Sequence, residues 1–124
     1  MLRNAKIIAF LATTNAKRCR KFYETVLGLP LVSDDKFALA FDCKGTQLRI
    51  QKIEKFSPHP FTSLGWHVPN IRNQVVKLTK AGVTFETYPF LVQNELNIWQ
   101  APSGAQVAWF KDPDGNLLSI TQWD

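Results

Sequence analysis

Apolar and polar positions along the chain alternate between two periods, and the switches mark the elements. Ile7 to Ala12 is a short apolar run of strand length. From Asn15 to Gly28 the apolar residues Cys19, Phe22, Tyr23 and Val26 recur at helical spacing, with Asn15 placed as N-cap and Gly28 as C-terminal stop. Strand-like runs follow at Leu29–Val32, Phe37–Asp42 and Gln47–Lys52, the last two broken by a turn at Lys44-Gly45. The same order then returns. Leu64–Val68 is a strand, and Asn70 caps a helix whose stripe is Ile71, Val75 and Leu78 and whose stop is Gly82. Val83–Tyr88, Gln106–Lys111 and Leu117–Gln122 complete the second set of strands. The final two are joined by Asp112-Pro113-Asp114-Gly115-Asn116, a hairpin turn in which Pro sets φ, Gly accepts positive φ and Asp bonds nearby backbone N–H groups.

The pattern is βαβββ twice, offset by about 55 residues. It predicts an α+β fold of two modules, 5–55 and 62–124, joined by a linker over 56–61 that contains Ser57-Pro58-His59-Pro60. Residues 93–104 read as an insertion in the second module, with a turn at Pro102-Ser103-Gly104. Curved mixed sheets, each backed by one helix, leave a concave face, and a concave face is where a ligand is expected. The linker length permits the modules to pair within one chain or to swap between two.

Composition narrows the setting. At 124 residues the chain fits a single domain, with 45% hydrophobic and 20% charged residues. No apolar run reaches the ~18–20 residues of a membrane span. No leader with a small-residue cleavage site is read at the N-terminus, so a cytoplasmic protein without membrane partner is expected. Cys19 and Cys43 are too few for a disulfide framework or a zinc site. The formal charge is +5, densest at Lys17, Arg18, Arg20 and Lys21. Because Arg20 and Glu24 stand at i,i+4, this cluster reads as a solvated helix face and not as a nucleic-acid footprint.

Several longer stretches carry a family resemblance. They are Phe22-Tyr23 followed by Leu27-Gly28-Leu29, Gly65-Trp66-His67-Val68-Pro69-Asn70-Ile71, Lys80-Ala81-Gly82-Val83-Thr84-Phe85, and Trp109-Phe110-Lys111-Asp112-Pro113-Asp114-Gly115-Asn116. Together they resemble the vicinal oxygen chelate superfamily, which holds glyoxalase I, bleomycin-resistance proteins, fosfomycin-resistance enzymes and extradiol dioxygenases. The resemblance spans essentially the whole chain. It implies that the paired modules form a cup and that metal-using members hold one divalent cation there through His, Glu or Gln. Those ligands come one each from the first and last strands of the two modules. Carried onto this chain, the slots fall on Ile8, on Arg49 with Gln47 and Gln51 on the same strand face, on Ser63 beside Thr62, and on Ser119. Ile8 cannot ligate, Arg49 carries fixed positive charge, and two neutral hydroxyls replace imidazole and carboxylate. The expectation is a retained fold with the metal site lost and no cofactor.

Strand alternation groups Ile8, Phe10 and Ala12 with one slot, Gln47, Arg49 and Gln51 with another, Ser63, Gly65 and His67 with the third, and Leu117, Ser119 and Thr121 with the last. The candidate ligand-binding residues are Arg49, Gln51, Ser63, His67, Ser119 and, in the insertion, Trp99, which reads as a lid or a dimer contact with Tyr88 and Glu95 near it. Arg presents a planar fork suited to a carboxylate or another anionic or carbonyl oxygen. Each has a plainer reading: a one-residue slip turns Arg49 to solvent, His67 is a surface imidazole beside Pro69, and Trp66 and Trp109 pack in the core. His59 reads as a loop residue.

Three functions stay open. The first is a metal-free protein binding an anionic or carbonyl-containing small molecule as a homodimer, by analogy with bleomycin-resistance proteins; the basic charge disfavours a cationic drug. The second is a metal-dependent glyoxalase-like lyase or dioxygenase-like oxidoreductase, which needs a different ligand set such as His67, Gln51 and Glu86. The third is an interaction domain without a ligand.

Overall fold

In the computed structural model, which describes residues 1–123, the chain divides between Ser57 and Pro58 into two compact units. The first contains strands β1 (Ile8–Thr13), β2 (Leu31–Asp34), β3 (Ala38–Cys43) and β4 (Thr46–Lys52) in the order β1-β4-β3-β2. β1 runs parallel to β4 and the other neighbours are antiparallel. Helix α1 (Ala16–Arg20) starts where expected, with the Asn15 side chain accepting from the Arg18 N–H at 3.1 Å. It then widens into a π-helical segment over Lys21–Val26, where the Leu27 N–H reaches the Phe22 carbonyl five residues back at 2.9 Å. The extra residue in that turn leaves no mark in the apolar spacing, so the sequence reads one regular helix. Gly28 ends it at φ +74°. Cys19 and Tyr23 are fully buried along with Leu39, Phe41, Leu48 and Ile50, so this helix covers one face of the sheet. Lys44 and Gly45 both adopt positive φ, which gives the tight β3–β4 hairpin.

The second unit repeats the plan with β5 (Leu64–His67), α2 (Ile71–Lys80), β6 (Trp99–Gln100), β7 (Gln106–Lys111) and β8 (Leu117–Gln122), ordered β5-β8-β7-β6. Asn70 caps α2 by accepting from the Asn73 N–H at 3.1 Å, and Ile71, Val75 and Leu78 are buried against the sheet side that holds Ala108, Phe110, Leu118 and Ile120. Trp66 stacks on Phe110 on this side, with ring centroids 6.5 Å apart. The turn before β8 is built on buried Asp112. Its carboxylate accepts from the backbone N–H groups of Asp114 and Asn116 at 2.9 Å and from the Asn116 side-chain amide at 2.8 Å.

One expected strand is absent. Val83–Tyr88 makes only a bridge from Phe85 to Phe110 and a bond from the Glu86 N–H to the Trp109 carbonyl at 2.8 Å. Beyond that the Tyr88 N–H is taken by the Gln93 side chain, which ends the ladder. The place beside β7 goes to Trp99–Gln100, so the stretch read as an insertion supplies the edge strand. Among the described residues no helix is long and apolar enough to cross a membrane.

Candidate functional site

Each sheet has one face that its own helix leaves uncovered, and strand register decides which residues stand there. In the first unit Ile8 pairs with Gln47, Phe10 with Arg49 and Ala12 with Gln51, and β3 continues these rows through Asp42, Ala40 and Ala38. This three-strand register puts Arg49 and Gln51 on the open face, between the apolar residues of β1 and the alanines of β3. Arg49 is half-buried, its guanidinium Nη1 is 3.5 Å from Gln47 Oε1, and among the described residues it meets no carboxylate at ion-pair distance. Ile8 and Phe10 are 50% and 53% exposed on this face, unusual for large apolar side chains flanking a charge. At its lower end lies a hollow of about 350 Å³ that includes Ile8, Gln47, Asp42 and Lys6.

The other charged groups of this unit hold its edge together. Asp34 accepts from Lys52 Nζ at 2.6 Å and from Arg20 at 3.0 Å, and these partners, Lys52 foremost, lower its pKa. Asp35 is likewise lowered, chiefly by the backbone N–H groups of Phe37 and Ala38. Arg20 also meets Glu24 at 3.2 Å, as the i,i+4 spacing anticipates.

In the second unit Gly65 pairs with Ser119, which pairs with Trp109, while His67 pairs with Thr121 and then Val107 and Trp99. Ser63, His67, Ser119 and Trp99 thus share one uncovered face. The contact between Gly65 and Ser119 is tight: a Cβ at position 65 would lie 2.6 Å from the Ser119 hydroxyl. Ser119 is buried, and the Ser63 hydroxyl is buried with no hydrogen-bond partner among the described residues. An unsatisfied buried hydroxyl is costly and marks a place where a ligand atom or water completes the bonding. His67 is exposed, its ring 6.3 Å from that of Trp123.

Trp109 corrects the sequence reading. It is not in the core but lies on the open face, and its indole N–H reaches across β8 to the Thr62 hydroxyl at 3.1 Å. Trp99 stands 5.9 Å from it at 34°, Tyr88 5.6 Å from it edge-on at 82°, and Phe90 packs 5.4 Å from Tyr88. Burial pushes the Tyr88 phenol above its ordinary pKa, aided by the nearby Glu86 charge, so it stays a neutral hydroxyl near pH 7. Register alone exposes this row once β7 is known, but the alternation of Trp109 with its neighbours does not say which face the helix covers. Gln93 and Asn97, which shape the loop carrying Tyr88, have no periodic signal at all. Glu95, by contrast, points to Arg72 at 2.7 Å.

The slot residues do not fit a divalent cation. An alkyl group, a cationic guanidinium and two neutral hydroxyls offer no anionic or imidazole ligand, and among the described residues no three His, Cys, Asp or Glu side chains converge. Of the alternative set, Glu86 is 3.7 Å from Lys111 and the His67 ring lies 6.3 Å from that of Trp123.

No protein-family profile matches the chain, and no curated protein sequence matches it. Solved structures do. A glyoxalase/bleomycin resistance protein/dioxygenase superfamily member from Sphaerobacter thermophilus DSM 20745 superposes with a TM-score of 0.78 at 21% identity, covering 99% of this chain and 100% of its own. Lactoylglutathione lyase from Agrobacterium tumefaciens gives 0.74 at 15% identity, covering 96% and 93%. TnmS3, an antibiotic binding protein from Streptomyces sp. CB03234, gives 0.72 at 19% identity, covering 100% and 99%.

Proposed function

We propose, on the premise that this chain has the fold of the glyoxalase/bleomycin resistance protein/dioxygenase superfamily, that it is a metal-free binder of a small organic molecule bearing an anionic or carbonyl oxygen. One observation carries the reading. The slots where such a fold would hold a cation are Ile8, Arg49, Ser63 and Ser119, while the same open faces offer oxygen-recognising groups, an Arg49 without a carboxylate partner and a Ser63 hydroxyl without any partner. A guanidinium binds an anionic oxygen without a metal, and a buried hydroxyl gains most from an acceptor that satisfies it. Within the second unit the aromatic row of Tyr88, Trp99 and Trp109 supplies apolar area on the same open face as the Ser63 hydroxyl, as ligand sites require. That an antibiotic binding protein shares this fold is consistent with binding as the activity. The protein acts as a homodimer in the cytoplasm, with no nucleic-acid or membrane partner.

The test is titration with 2-naphthoate and 2-naphthamide, followed by tryptophan fluorescence in the presence of chelator. Saturable binding of both, with Arg49→Ala weakening the carboxylate at least tenfold more than the amide, supports the reading. Binding that appears only after nickel, zinc, iron(II) or manganese is added contradicts it and restores the lyase or dioxygenase alternative.

A further inference from the structure

We infer that the loop from Glu86 to Ile98 is a pre-formed recognition loop for a planar aromatic ligand, and that the side-chain amide of Gln93 is its positioning residue. The inference rests on the small-molecule reading above and adds a ligand shape and a residue to it.

A single side chain closes this loop. Gln93 Oε1 accepts the Tyr88 N–H at 2.7 Å, and its Nε2 donates to the Glu86 carbonyl at 3.0 Å and to the Asn97 carbonyl at 2.9 Å. Both amide protons and one carbonyl lone pair are thus committed to backbone groups that no strand neighbour satisfies. Gln93 also bridges to Trp99 through its own backbone. Secondary bonds surround it: Asn94 Oδ1 accepts from the Leu96 and Ile98 N–H groups at 2.9 Å, and Thr87 donates to Asn97 Oδ1 at 3.0 Å. Asn97 turns the chain at φ +62°, and Ile98 is buried beneath.

The result is a fixed placement of aromatic rings from three separate segments. Tyr88 is held through its own backbone N–H, Trp99 through the bridge, and Trp109 through the Thr62 hydroxyl. Trp99 and Trp109 are tilted by 34° while Tyr88 meets Trp109 edge-on, so the row presents both ring faces and ring edges, the two geometries that planar π-systems favour. Phe90, 78% exposed, extends the row with its ring 5.4 Å from that of Tyr88. Holding these rings in place before binding removes the ordering cost that a flexible loop would carry.

The experiment compares wild type with Gln93→Met, which keeps length and loses the amide, and Gln93→Glu, which keeps the acceptor but sets a carboxylate against two carbonyl oxygens. Probes are 2-naphthamide and its saturated, non-planar analogue decahydronaphthalene-2-carboxamide. Wild type should bind the planar probe at least tenfold more tightly. Gln93→Met should lose that preference while keeping its far-UV circular dichroism, and its near-UV aromatic bands should collapse. Gln93→Glu should lose it more completely. In wild type the Tyr88 amide should exchange at least tenfold more slowly than a free loop amide, a measurement that needs no variant to fold. Equal affinity of wild type for the two probes overturns the inference and leaves the small-molecule reading standing, whereas binding of neither overturns both. A Gln93→Met protein with unchanged preference and near-UV bands, or fast exchange at Tyr88 in wild type, removes Gln93 from the role.

Discussion

The two modules share a plan and differ on one face. On the helix-covered side they are near copies in physical terms. Tyr23, Phe41, Leu48 and Ile50 fill the first, and Ile71, Val75, Phe110 and Ile120 the second, and each helix is entered through an Asn cap. On the uncovered side they diverge. The first module shows Ile8 and Phe10 of β1 beside Arg49, and the second shows Trp99, Trp109 and Tyr88 on the face that holds two serines. The edges diverge too, since the first module closes with the four residues of β2, bulged between Leu31 and Ser33, and the second with two residues, Trp99 and Gln100, reached through a stapled loop. Packing in the core tolerates few solutions, so the repeat survives there. An uncovered face is free of that constraint, and there the two modules diverge.

The comparison breaks first if the cores are unequal. Phe41→Ala and Phe110→Ala each remove a fully buried ring from equivalent layers, and each should cost about 3–5 kcal/mol in urea unfolding. A cost confined to one of them would mean that only one module carries the stability of the chain.

A smaller effect distinguishes the open faces. Gly65→Ala drives a methyl group into the Ser119 hydroxyl and should destabilise by about 1–3 kcal/mol. Ser119→Ala in the same chain should recover most of that loss, a coupling visible in a double-mutant cycle. On β1 of the first module Phe10→Ala, half exposed and without such a contact, should cost less than Gly65→Ala.

The smallest effect is electrostatic. Lys52 and Arg20 hold the pKa of folded Asp34 below the ordinary aspartate value of 3.8, so the stability it adds is present above about pH 4 and is lost as pH falls through the lowered value. Asp34→Asn should flatten the acid side of the urea-midpoint profile. Glu95→Gln in the second module should do so less, because Glu95 has one cation, Arg72, where Asp34 has two. Both groups are solvent-exposed, which keeps the changes small.

Much of the architecture is written in short-range signals. Asn15, Asn70, Gly28 and Gly82 bound the helices, and the Lys44-Gly45 and Asp112–Asn116 turns set the hairpins, because caps and positive φ are decided within a few residues. The rows Ile8–Gln47, Phe10–Arg49 and Gly65–Ser119 follow from alternation once the parallel β1–β4 and β5–β8 pairing is known. What sequence reasoning missed depends on side-chain partners that no periodic pattern marks. Val83–Tyr88 looks like a strand until Gln93 takes the Tyr88 N–H, and Trp109 looks like core until Thr62 draws its indole across the open face. The four slot residues Ile8, Arg49, Ser63 and Ser119 were identified from a resemblance, and their chemistry alone argues against a cation.

Metal content and metal-dependent stability decide whether these residues hold a cation. The protein should be purified without chelator and its metal content measured per chain, and nickel, zinc, iron(II) and manganese then added in turn during thermal unfolding. A cation that binds the folded chain must raise the midpoint by mass action. The account predicts no stoichiometric metal and no shift with any of the four. One metal per chain together with a raised midpoint would contradict it.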